Sequence, residues 1–326
     1  MKELYSAISR DKTILRKSSS GGVITTLGKW VIEHGGVMYG AALLDDFSVE
    51  HIRANNMEDL MRTAGSKYSL SKLSSVMKNL REDVDTGRLV LFVGTPCQCA
   101  SVRKVYPQSP NLIVCDIICH GNTTKKYFNA YLEYLNKKYG DIKGFSFRDK
   151  TAYGLSCVSS IILSNGKRKV LYSPKYNYYY YYMKQDAYME GCYKCRYSCL
   201  DRVGDLTVGD FWGIENIDKT VKSVDGVNAV IINTQVGKEI LEQTMSLFET
   251  KRQSLGEYIL YNAALVRPTE KGRYYEKVQE ILKSDEAWKI FTDIYEISVK
   301  DRIKGVLKRI LPNNIYAKLK GVKNSV

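Results

Sequence analysis

Residues 192–199 place three cysteines within eight positions, and Cys97 and Cys119 stand 22 residues apart in the first half of the chain. Cys192 and Cys195 form a C-x-x-C, a spacing that lets a short loop wrap its backbone around a metal and aim two sulfurs inward. With Cys97 and Cys119 they supply four thiolates, enough for a [4Fe-4S] cluster or a Cys₄ zinc site. Cys199 is the rival ligand, because C-x-x-C-x-x-x-C can fill three corners without help. A chain with eight cysteines and only three histidines offers little imidazole for a mixed site. Its order also differs from the C-x-x-x-C-x-x-C of radical enzymes that use S-adenosylmethionine. Cys115 and Cys157 lie in strand-like runs and read as small buried hydrophobes, and Cys99 faces the helix after its loop.

The positions of these thiols depend on the elements around them. Of the 326 residues, 44% are apolar and 26% charged, an ordinary composition for a soluble globular chain of one or two domains. No apolar run is long enough to span a bilayer, and the start has no signal-peptide pattern, so a cytoplasmic location is expected. A reducing compartment favours metal ligation or redox chemistry over lasting disulfides. The net charge is +14, but half of the excess lies between Lys300 and Lys323, where eight basic residues face Asp301 alone. The body is only mildly basic, and no nucleic-acid partner is expected.

The pattern predicts an α/β fold: a mixed, partly parallel sheet with flanking helices, cysteine-bearing loops at strand C-terminal ends and a helical C-terminal region. The clearest unit runs strand "LVLFV", loop "GTPCQ", helix "CASVRKVY", strand "NLIVCDIIC", loop "HGN" and a long helix. Strands apolar on both faces, each followed by a helix, pair in parallel, which brings Cys97 and Cys119 to one edge of the sheet. "SNGK" reads as a hairpin turn, and the tyrosine run 178–182 as packing surface rather than a stacking platform for a cofactor. Three regions are expected: 1–143 with the first two cluster cysteines, 144–298 with the C-x-x-C loop, and a basic amphipathic tail, 299–326. Such a tail either lies on an anionic membrane surface or packs on its own domain.

"KSSSGG" precedes a helix, where serines can cap and Gly21 and Gly22 admit a phosphate. The "GTPCQ" turn likewise exposes N–H groups and a hydroxyl to a ligand. Taken in order, "SSSGG", "GSKY", "GTPCQ", "CHG", C-x-x-C and "DLTVGDFWG" resemble the coenzyme F-420 (deazaflavin) hydrogenase/dehydrogenase beta-subunit family over roughly residues 10 to 240. The resemblance implies an oxidoreductase with FAD and one [4Fe-4S] cluster. It gives Cys97, Cys119, Cys192 and Cys195 as cluster ligands, and Ser20, Gly21, Gly22, Ser66, Lys67, Tyr68 and Thr95 as the FAD-binding set. Many relatives open with a ferredoxin-like C-x-x-C-x-x-C segment that this sequence lacks, so a separate electron donor such as a ferredoxin is expected. The basic tail resembles members from cell-surface polysaccharide clusters, so the deazaflavin is not carried over as the substrate, and an unidentified small molecule or glycan is expected.

His120, Lys67 and Arg148 are candidates to shuttle protons or position an anionic partner, with Arg148 alternatively in a surface ion pair with Asp149. Asp205 and Asp210 are candidates to cap loops around the cluster. The competing expectation from another class is a non-enzymatic Cys₄ zinc scaffold docking to a membrane assembly.

Overall fold

The computed structural model describes residues 2–107, 109–150, 155 and 157–310. Its strands are β1 (Glu3–Ser9), β2 (Val37–Leu43), β3 (Val49–Ala54), β4 (Val90–Gly94), β5 (Leu112–Ile117), β6 (Ile142–Ser146), β7 (Ser159–Leu163), β8 (Arg168–Leu171), β9 (Leu206–Asp210), β10 (Asn228–Ile232) and β11 (Phe248–Gln253). Eight of them form one mixed sheet in the order β11-β1-β10-β9-β5-β4-β2-β3. Its middle is parallel, β2 with β4, β4 with β5 and β5 with β9, and the remaining pairs are antiparallel.

Alternation along the central strands sends side chains to two covered faces. Leu91, Val93, Ile113 and Cys115 join Val23, Leu27 and Val31 of the helix Val23–Glu33 in one core cluster. Val90, Phe92, Leu112 and Val114 join Leu80, Cys99 and Val102 of the helices Met77–Asp85 and Pro96–Val105 in another. The parallel register sets Gly94 opposite Asp116, so both strands release their chains at the same edge of the sheet. Cys97 and Cys119 follow directly, as their spacing requires.

The chain divides into two compact units that interleave in sequence. One comprises residues 1–122 and 189–269, the other 123–188 and 270–326. This differs from the boundaries at 143 and 298 expected from the sequence. Strands β9 and β10 return to complete the first unit's sheet, so the C-x-x-C loop belongs with Cys97 and Cys119. β1 also departs from expectation, since the polar start folds as a strand between β10 and β11. β3 and β11 are likewise unexpected; both are edge strands, with buried and half-buried positions mixed in β3 and exposed ones added in β11, so their apolar signal is weak.

The second unit holds the antiparallel sheet β6-β7-β8 and the helix Lys125–Tyr139. Its core is aromatic: Tyr127, Phe128, Tyr131, Tyr178 and Phe291 are fully buried and pack at edge-to-face, tilted and stacked angles. The tyrosine run forms the short helix Tyr178–Tyr182, with Tyr178, Tyr181 and Tyr182 buried as packing. The tail forms the helix Val299–Ile310, and the expected continuation through Lys318, Lys320 and Lys323 lies outside the described residues.

Candidate metal centre

All five cysteines singled out as ligands or rival belong to the first unit. Cys97 stands in the first turn of the helix Pro96–Val105, and its sulfur is 3.2 Å from Thr95 Oγ1. Cys119 follows β5 and receives a 3.8 Å contact from Asn122 Nδ2. Cys192 lies in the 3₁₀ turn Glu190–Lys194, which Cys195 ends. Cys192, Cys97 and Cys195 all act electrostatically on the Cys119 thiol, and Cys195 and Cys97 act on Cys192. The sequence-predicted four are thus brought into one neighbourhood.

The backbone around two of these sulfurs is arranged for charge. The N–H of Gly121 points at the Cys119 sulfur, and that of Asn122 at the Cys192 sulfur. A donor aimed at sulfur favours thiolate over thiol. Burial opposes this, pushing Cys119 up to about 12 and Cys192 above the usual thiol range. A metal core would tip the balance, since coordination deprotonates a thiol. Among the described residues no three or more His, Cys, Asp or Glu converge as around a single ion.

Cys199 sits in a different setting. Its sulfur lies 3.5 Å from Arg196 O and 3.3 Å from Asp201 O, so it faces carbonyl acceptors. Cys99 and Cys115 are fully buried in the core, and burial raises both well above the ordinary thiol range.

Two residues outside the sequence-derived set fasten the loop after the C-x-x-C. Arg202 and Asp116 are almost wholly buried and ion-paired, with Nη2 to Oδ1 at 2.6 Å. The guanidinium also donates to Tyr197 O at 2.9 Å and Ile117 O at 3.2 Å, and Gly204 N–H donates to Asp116 Oδ2 at 2.9 Å. This pair ties the segment leaving Cys195 to the strand leading to Cys119. An aspartate inside the apolar run "LIVCDII" was the visible signal, but its partner lies 86 residues away. Asp205 has a comparable anchoring role, accepting from Val114 N and Thr234 Oγ1 at 2.8 Å each and pairing with Arg103.

A second network fixes the start of the helix that carries Cys97. Thr95 N and Oγ1 donate to Gln98 Oε1 at 3.1 and 3.0 Å in a capping box. Gln98 Nε2 donates to Ser71 O and Oγ, both at 2.9 Å. Ser71 Oγ donates to His51 Nδ1 at 3.0 Å, and His51 Nε2 donates to Val93 O at 2.9 Å. Burial pulls His51 down to about 4, so it stays neutral in the tautomer this chain requires.

The flavin-assigned residues meet in part. Ser66 N–H donates to Ser19 Oγ at 2.6 Å, which joins the serine–glycine loop to the "GSKY" loop. Ser20, however, is buried and donates to Val227 O at 3.0 Å. At Gly21 a Cβ would stand 2.4 Å from Ala7 O and 2.7 Å from Asn228 N, so its size is dictated by the protein's own strands rather than by an approaching phosphate. Gly22 takes φ +79° as N-cap of the helix Val23–Glu33, and Tyr68 is half-buried in the "GSKY" loop. Lys67 Nζ caps the C-terminal end of the helix Met57–Thr63, donating to the carbonyls of Arg62, Thr63 and Ala64 at 3.2, 2.8 and 2.9 Å. Burial lowers its pKa to about 7, against those three acceptors, which favour the ammonium.

His120 follows Cys119, and its carbonyl accepts from Thr269 Oγ1 at 2.6 Å. Burial lowers its pKa, with Asp210 opposing. Arg148 corrects another expectation: it is buried in the second unit rather than at the surface, and Asp149 pairs with Arg168, Nε to Oδ2 at 3.1 Å.

Comparisons with known proteins bear on the family and the fold. Residues 4–78 match the N-terminal model, and residues 87–254 the C-terminal model, of the family described as "Coenzyme F420 hydrogenase/dehydrogenase, beta subunit". The "Coenzyme F420 hydrogenase subunit beta" of Methanococcus voltae is 28% identical over 181 residues, 47% of this chain and 64% of that protein. The "Coenzyme F420-dependent sulfite reductase" of Methanocaldococcus jannaschii is 26% identical over 243 residues, 69% of this chain. The chain spans 34% of the latter's length. In structure it resembles a chain of the F420-reducing [NiFe] hydrogenase complex from Methanosarcina barkeri, with a TM-score of 0.53, 23% identity and 89% of each chain covered. With both family regions matched in order along most of its length, the chain belongs to the coenzyme F420 hydrogenase/dehydrogenase beta-subunit family.

Proposed function

We propose that this chain is an iron–sulfur flavoprotein oxidoreductase in which Cys97, Cys119, Cys192 and Cys195 hold a [4Fe-4S] cluster. FAD is assigned to the joined serine–glycine and "GSKY" loops. The observation that carries the reading is the gathering of four thiols, two of them faced by backbone N–H groups. Bound there, the cluster would supply single-electron transfer and the flavin would couple it to a two-electron reaction.

The chain's own groups have definable tasks. Gly121 and Asn122 stabilise negative sulfur, and Asp116 and Arg202 hold the C-x-x-C segment against β5. The Thr95–Gln98–Ser71–His51 chain keeps Cys97 on a rigid helix start. Half-buried His120, whose pKa desolvation lowers, is the candidate proton carrier beside Cys119. Ser19 and Ser66 mark where the two flavin loops meet, and Lys67 is assigned to shaping its loop instead of binding an anion.

The electron donor is assigned to a separate protein such as a ferredoxin, and the acceptor to a small molecule or glycan of cell-surface polysaccharide biosynthesis. The relatives' names make coenzyme F420 the alternative two-electron partner. A zinc scaffold would require the sulfurs to close to about 2.3 Å around one ion, whereas a cluster gives each cysteine its own iron.

The test is anaerobic purification followed by chromatography of the flavin released on denaturation, then reduction trials with reduced ferredoxin and with reduced F420. FAD release and ferredoxin-driven bleaching are expected. Bleaching by reduced F420 alone would replace the donor, and zinc without iron or flavin would establish the scaffold.

A further inference from the structure

The helix Val299–Ile310 turns its apolar side to solvent. At 100° per residue, Val299, Ile303, Val306, Leu307 and Ile310 share one stripe. They are 71%, 53%, 55%, 40% and 70% exposed. The helix is fastened instead at Gly305, which is buried: a Cβ there would stand 3.1 Å from Pro174 Cδ and 3.3 Å from Ser173 Cα. On the helical projection Gly305 lies roughly opposite the stripe, about 140° from its centre. The second of the two expectations for the tail, a solvated helix packing on its own unit, matches the contact at Gly305, but the large apolar side chains take no part in that contact. A contact made by glycine brings the helix close while leaving every large apolar side chain outside.

Cations border the stripe on both sides, Lys300 and Lys304 along one edge and Arg302 and Arg309 along the other. Asp301, the lone acid of the helix, lies on the far side, 3.7 Å from Lys304 Nζ. The surface is thus an apolar wedge between two rows of positive charge. A second copy of the same helix would set like charges against each other. An anionic bilayer leaflet matches both features, taking the wedge at the headgroup–acyl boundary and the cations at lipid phosphates. Among the described residues no helix is long and apolar enough to cross a membrane, which leaves the interfacial position.

We propose that Val299–Ile310 is a membrane-surface anchor for anionic lipid, held to its unit through Gly305. The inference does not rest on the cofactor assignment. The experiment is cosedimentation of the full-length protein with vesicles of phosphatidylcholine alone and of phosphatidylcholine mixed with phosphatidylglycerol. Wild type should bind the anionic vesicles at least about tenfold more strongly. Ile303→Glu/Val306→Glu and, separately, Lys300→Glu/Lys304→Glu should each lower that binding at least about tenfold while the unfolding midpoint stays unchanged. Equal binding of wild type to both vesicle types would overturn the proposal. So would unaltered binding by the Ile303/Val306 variant, or a loss of self-association in that variant without any lipid binding, which would make the stripe an interface between copies.

Discussion

Cys192 and Cys199 are seven residues apart on one loop, yet the backbone meets their sulfurs with opposite polarity. Asn122 directs an N–H at Cys192, while Cys199 faces the carbonyls of Arg196 and Asp201. Cys99 and Cys115 make a third case, buried in the sheet core with the carbonyl oxygens of Gly94, Cys115 and Asp116 within reach of their sulfurs. Exposure sets apart the buried Cys99 and Cys115 but does not separate Cys192 from Cys199, for both are half-buried. The sign of the surrounding dipoles does, because N–H groups select thiolate and carbonyls select thiol.

The comparison is most easily broken by cysteine replacement. Cys119→Ser and Cys192→Ser are expected to reduce iron in the anaerobically purified protein to near background, while Cys199→Ser retains the wild-type amount. Metal analysis by mass spectrometry reads this directly, and equal losses in all three would erase the distinction between the sulfurs.

The next effect is on stability. Arg202→Met leaves Asp116 buried without its partner, at a cost of about 3–5 kcal/mol in urea unfolding. Adding Asp116→Leu should recover most of that loss. Iron retention should stay low in the double variant, because the C-x-x-C loop has lost its tie to β5. A double variant with full iron would reduce the ion pair to a purely structural element.

A third effect depends on pH. His51 has a folded pKa of about 4 against an unfolded value of about 6.5, so between those values the unfolded state binds more protons. Its contribution is complete above pH about 6.5 and disappears as pH falls toward 4, about 3 kcal/mol in all. Following the ring signals by nuclear magnetic resonance should show His51 still neutral at pH 5. The smallest expected effect is that of Thr95→Val, which removes one capping oxygen and should cost about 1 kcal/mol of thermal stability.

Much of the sheet was legible because its central strands are apolar on both faces and their crossovers leave the parallel pairing little choice. That rule alone places Cys97 and Cys119 on one edge, and the C-x-x-C spacing identifies the other pair. What could not be read depends on contacts distant in sequence. Asp116 needs Arg202, Gln98 needs Ser71 and His51, and Gly21 owes its lack of a side chain to Ala7 and Asn228. The interleaved units were hidden for the same reason, since β9 and β10 rejoin a sheet begun before residue 122. Lys67 is the converse example: a basic residue in a suggestive motif whose ammonium closes the end of its own neighbouring helix.

The most direct test of the central claim is the ratio of iron, zinc and acid-labile sulfide to polypeptide in protein purified without oxygen. Four thiolates sharing one cluster should give about four iron and four sulfide per chain and no stoichiometric zinc. One zinc per chain with no sulfide would contradict it.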